Sequence, residues 1–92
     1  MGRWSAVQLR ILRLERTLDK TGQTKSPLYD DASKGLFTMP VKIGPRASGW
    51  PEHEVDQIIA ARIAGAGDAE IKKLVQRLHE QRKSVVAHLV GA

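Results

Sequence analysis

Apolar side chains recur along this chain in two rhythms, and the switch between them divides it into elements. Leu14, Leu18 and Thr21 stand at i, i+4 and i+7, one face of a helix, with Ile11 and Leu12 leading into it. Gly22 then supplies a left-handed stop. Thr24 predicts the N-cap of a second helix, with Pro27 in a first turn where a missing N–H does little harm. Leu28 and Ala32, four apart, face inward; Ser26, Tyr29, Asp30 and Ser33 face outward, and Gly35 ends the helix. Only Gly22-Gln23-Thr24 separates the two helices, short enough to force a wide crossing, the mark of a helix-turn-helix.

From Phe37 to Ile43 the rhythm becomes alternation, with Val41 and Ile43 on one face and Lys42 on the other. Gly44-Pro45 breaks this strand and forms a hairpin tip, from which Ala47 to Trp50 returns. Lys42 and Arg46 project near the tip. Pro51 is expected at the first position of a third helix, followed by Glu52 and Glu54, which suit the positive end of a helix. Val55, Ile58, Ile59 and Ile63 form a stripe that closes the core over the first helix and the hairpin. Gly65 and Gly67 mark a break. In the final stretch Ile71, Val75, Leu78, Val85 and Leu89 follow steps of 4, 3, 7 and 4, a heptad seam with Arg82 in an inward slot. Two uses of that seam stay open: a coiled coil with another copy, or a surface helix laid on its own domain.

The expected fold is mainly α with a small β-hairpin: a winged helix-turn-helix plus a C-terminal amphipathic helix. The expected organisation is an N-terminal arm over 1–10, a DNA-binding domain over 11–66 and the amphipathic helix over 67–92. Trp4, Val7 and Leu9 show no clear period, and Arg3, Arg10 and Arg13 would give the arm affinity for phosphates. Trp50, ending a strand in a chain with few aromatics, is expected in the core.

Charge sharpens the picture. The net charge is +5, and residues 1–50 carry nine Lys or Arg against four Asp or Glu, while residues 51–92 carry six of each. The whole excess lies in the half containing the helix-turn-helix and wing, which points to a polyanionic partner. There are no cysteines, so disulfides and Cys-based zinc sites are excluded. No apolar run approaches the roughly 18 residues of a membrane helix, and the N-terminus lacks the apolar core of a signal peptide. A soluble cytoplasmic protein is expected.

Catalysis has little support. His53, His79 and His88 share no ligand spacing with acids, and no phosphate-binding loop, dinucleotide fingerprint or zincin motif is present. Asp30 and Asp31 are adjacent on a helix and so point about 100° apart. No enzyme activity, cofactor, metal or small-molecule substrate is expected. DNA binding has a coherent physical basis. The second helix offers Thr24, Lys25, Ser26 and Tyr29 at the end that enters a major groove. Lys25 suits a phosphate or a guanine edge, and Ser26 a phosphate or base. Lys42, Pro45 and Arg46 form a wing, with Arg46 suited to a narrow minor groove. Lys34 is read as an ordinary surface charge.

The string GLFTMPVKIGPRASGWPEHEVDQIIAARIAG, preceded by TGQTKSPLYDDASKG, resembles the AlpA family of small phage and prophage transcriptional regulators, related to excisionases and MerR-like winged-helix domains. The similarity spans about residues 11–83 and includes Ile71 to Lys83. It implies sequence-specific DNA binding that regulates integrase or other mobile-element genes, or directs excision. It also implies the order helix, turn, recognition helix, wing, helix. Lys25, Ser26, Tyr29, Lys42, Pro45 and Arg46 match the family pattern. Pro27 replaces its usual threonine, Asp30 a basic residue and Ala32 an isoleucine. The expected partners are double-stranded DNA and further copies of the chain, as a dimer or higher oligomer on DNA, with no membrane. A second reading is a protein-interaction module that keeps the fold and modulates another regulator without reading DNA; Asp30, Asp31 and Ala32 motivate it.

Overall fold

The computed structural model describes residues 9–90, with side chains described from Leu9 to Val85. Arg3, Trp4 and Val7 of the expected arm, and His88 and the Leu89 end of the seam, lie outside the residues whose side chains are described.

The elements run β1 (Ile11–Leu12), α1 (Leu14–Thr21), α2 (Lys25–Ser33), β2 (Val41–Gly44), β3 (Ala47–Pro51), α3 (Glu52–Ile63) and α4 (Asp68–Val90). This is the winged helix-turn-helix arrangement: mostly helical, with a small antiparallel sheet in the order β1-β3-β2. No helix among the described residues is long and apolar enough to cross a membrane.

The helix-turn-helix forms as its local signals predict. Gly22 takes φ +72° and its N–H closes α1 on the Leu18 carbonyl at 2.9 Å, a conformation that costs glycine least. The buried face of α1 combines the half-buried Leu14 and Leu18 with fully buried Thr17. That threonine is tolerated inside because its hydroxyl donates to the Arg13 carbonyl at 3.1 Å, which removes the penalty of a buried unpaired polar group. Across the turn, Gln23 Nε2 donates to Asp31 Oδ2 at 2.9 Å. In α2, Leu28 and Ala32 are buried as their spacing requires. Thr24 is the N-cap by backbone geometry, but its side chain makes no capping hydrogen bond. Gly35 lies beyond the end of α2, which stops at Ser33 with Lys34 as its cap.

The sheet departs from expectation at both ends. Ile11 and Leu12 are a strand rather than a run-in to the helix, paired with Pro51 and Trp50. A two-residue strand has no period of its own, and it exists because β3 supplies its partners. β1 crosses so close to Gly49 that a Cβ there would sit 2.5 Å from the Leu12 carbonyl oxygen. The expected strand from Phe37 is shortened to Val41–Gly44. Phe37 and Thr38 are instead core residues, and Trp50 Nε1 donates to the Thr38 carbonyl at 2.7 Å. Ile43 is 46% exposed, because the register shifts between the Lys42–Ser48 and Gly44–Ala47 pairs and leaves it in a bulge. Pro45 and Arg46 both keep negative φ, so the tip lacks the twist that two-residue hairpin turns prefer. The bulge adds local twist of that kind.

Pro51 is the last residue of β3 and the N-cap of α3, not its first helical position. The next amide, of Glu52, donates to the Arg10 carbonyl at 2.8 Å, locking β1 to the start of the helix. Val55 and Ile58 are buried, but Ile63 is 82% exposed, outside the stripe assigned to it. Glu54, expected at the positive end of the helix, lies in its first turn and is fully buried. One apolar cluster joins Leu12, Leu28, Phe37, Trp50, Val55 and Ile58 to Ile71, Val75 and Leu78 of α4. The described part of the heptad seam is thus turned onto the chain's own core.

Candidate nucleic-acid interface

The face formed by α2 and the hairpin is built by two local facts. On β3, Ser48 and Trp50 share one side of the strand, since alternate residues do. The buried Trp50 ring points toward α2 and meets Tyr29 at 5.7 Å between ring centroids. Ser48, two residues nearer the tip, remains exposed on that side, opposite Lys42. A cleft of about 490 Å3 results, lined by Arg13, Leu14 and Glu15 at the start of α1, Tyr29 on α2, and Arg46 and Ser48 on the hairpin.

The structure brings Tyr29 and Arg46, predicted separately on helix and wing, onto this one cleft. Lys42 is exposed and joined to it through its cross-strand partner Ser48. Pro45 occupies the tip turn beside Arg46. Thr24, Lys25 and Ser26 are exposed at the N-terminal end of α2, with no side-chain partner among the described residues. These three do not line the cleft that holds Tyr29 and Arg46.

Arg13, Leu14, Glu15 and Ser48 line the cleft without belonging to the sequence-based set, and of these Arg13 and Ser48 can donate to an anion. Arg13 was grouped with the arm, yet it is the N-cap of α1. Ser48 carries a signal that could have been used, since it lies two residues before a core tryptophan on a strand and directly across from Lys42.

Ion pairing sorts the basic residues of this half. Lys20 binds Glu52 at 2.9 Å and Asp56 at 2.5 Å, and those hydrogen bonds raise its pKa above the usual lysine value. Arg10 also reaches Glu52, at 3.6 Å. Lys34 binds Asp30 at 2.8 Å, one helical turn away, and that bond raises its pKa too. Among the described residues, Arg13, Arg16, Lys25, Lys42 and Arg46 have no ion-pair partner. These are the cations free to meet an external anion, and two of them line the cleft. Asp30 is countered by Lys34, and Asp31 is turned to Gln23, so the acidic pair is less repulsive than its sequence suggests. Glu15 is the acid that remains on the cleft wall.

An exposed phenol flanked by unpaired guanidinium groups can hold a phosphodiester, by charge-assisted bonds from arginine and a hydroxyl donor from tyrosine. Residues 10–63 match the family described as prophage CP4-57 regulatory protein (AlpA). No curated protein and no solved structure gives a significant match to the chain. The matched segment holds α1, α2, the hairpin and α3, more than half of the chain, and the chain therefore belongs to the AlpA family of prophage regulatory proteins.

Proposed function

We propose that this chain is a sequence-specific DNA-binding transcriptional regulator of a phage or mobile element, working in the cytoplasm as a dimer or higher oligomer on DNA. Control of integrase genes, or direction of excision, is the finer role in view. The observation that carries the reading is the segregation of cations. Unpaired Arg13 and Arg46 flank Tyr29 on one cleft between the second helix and the wing, while Arg10, Lys20 and Lys34 are consumed by internal ion pairs. In this reading Thr24, Lys25 and Ser26 enter the major groove, Tyr29 and Arg13 hold the backbone beside it, and Lys42, Pro45 and Arg46 track the neighbouring groove. The protein-interaction alternative rests on Asp30, Asp31 and Ala32; the engagement of the two acids by Lys34 and Gln23, and the burial of Ala32 in the core, favour the DNA-binding reading over it.

The test is footprinting and mobility-shift titration of DNA upstream of the chain's own and adjacent genes, repeated over a series of salt concentrations. If about four to six phosphates are neutralised, log affinity falls with log salt at a slope of roughly −4 to −5. Arg46→Ala should weaken binding and flatten that slope by about one. Absence of any protected sequence, or a titration unaffected by Arg46→Ala, would sink the assignment.

A further inference from the structure

Met39, two residues ahead of the wing strand, is held on both its backbone groups by α4. Its N–H donates to His79 Nε2 at 3.1 Å, and its carbonyl accepts from Arg82 Nη2 at 2.7 Å. Arg82 is itself aimed by a buried carboxylate. Its Nε and Nη2 donate to Glu54 Oε2 and Oε1 at 2.8 and 2.7 Å, and Glu54 has no solvent exposure. A two-pronged guanidinium–carboxylate pair fixes orientation as well as distance. Met39 is 49% exposed, so packing does not hold this residue in place. Just before it, the Thr38 carbonyl is held by Trp50 Nε1. Beyond it, Val41 of β2 and Val85 of α4 line the same largely apolar hollow of about 250 Å3. His79 and Arg82 both lie on α4, beyond residues 10–63 matched by the family.

We propose that Arg82 and His79 are positioning residues for the wing: α4 fixes the approach of β2, and with it the presentation of Lys42 and Arg46 to DNA. The α4 seam then serves as a strut for the wing in addition to covering the core. The proposal rests on the DNA-binding reading for its consequence, but not for its structural content, and the experiment separates the two.

The variant is Glu54→Leu combined with Arg82→Met, which removes both charges together so that neither is left buried alone. Amide hydrogen exchange is followed on the full chain. Residues 41–48 should exchange at least about tenfold faster while α2 and the α3 interior keep their protection, since local opening is reported separately from global unfolding. Uniform change, or none in the hairpin, overturns the proposal, whether or not DNA binding is found. On DNA, the paired variant should be non-additive with Arg46→Ala and additive with Lys25→Ala, because only residues acting through the same element couple. Additivity with both also overturns it. A purely structural role would lower global protection and leave the two cycles alike. Should the paired variant not fold, His79→Leu leaves the Arg82–Glu54 pair intact and carries the same two readouts.

Discussion

The Tyr29 ring lies 5.7 Å from the Trp50 ring and is inclined to it at 59°, so the aromatic residue of α2 is braced by a residue of the core. Trp50 is in turn held by Phe37, edge-on at 6.0 Å, and by its hydrogen bond to the Thr38 carbonyl. The exposed interface and the interior are therefore one packed unit. Trp50→Phe keeps a ring against Tyr29 but leaves the Thr38 carbonyl unpaired, and should cost about 1–3 kcal/mol. Trp50→Ala should cost about 3–5 kcal/mol. Urea unfolding measures both, and near-equal losses would show that the ring contacts contribute little.

Gly49 stands where β1 crosses β3. A methyl group there would lie 2.5 Å from the Leu12 carbonyl oxygen and 2.6 Å from Ile11 Cγ2, both part of the pairing strand. Gly49→Ala should destabilise the fold by about 1–3 kcal/mol, the range for overpacking, although Gly→Ala at an unstrained site stabilises. The unfolding midpoint and the loss of exchange protection at Leu12 are the measurements. A stable variant would show that β1 pairs less closely than described.

Asp30 and Lys34 form an ion pair on the exposed side of α2. Asp30→Asn preserves the shape and releases Lys34, so DNA affinity should rise modestly at matched salt, with the salt slope steeper by up to about 0.9. Asp30→Arg should raise affinity further. If neither changes the titration, this end of α2 lies away from the phosphates.

Acid should loosen the structure in two stages. Burial, and then the nearby Arg82 charge, hold the His79 imidazole below its ordinary value of 6.5, with Glu54 opposing. The unfolded chain therefore takes up this proton first as pH falls. The stability that His79 supplies is complete above 6.5 and is lost as pH drops through its lower folded value. Protonation also removes the lone pair that accepts from Met39. Glu52, held below its ordinary 4.5 chiefly by its hydrogen bond to Lys20, behaves likewise at lower pH. Unfolding midpoints measured from pH 8 to 2 should decline in these two ranges, and His79→Leu should shrink the first decline while sparing the second.

The amino-acid pattern alone determined the helix-turn-helix, the hairpin tip and the inward positions of α4 at Ile71, Val75 and Leu78. Each depends on signals within a few residues: Gly22 after α1, Thr24 and Pro27 at the start of α2, Gly44-Pro45 between alternating strands, and the heptad steps from Ile71. Those signals act through backbone preference and periodicity, which are local. Tertiary structure decided which charges are available and which helix holds the wing. Lys20 meets Glu52 and Asp56 across 32 and 36 positions, and Arg82 meets Glu54 across 28. Ile11 and Leu12 become a strand only because β3 lies beside them. Partners of this kind are selected by approach in space, and a cation's place at the interface or inside it follows from whether such a partner arrives.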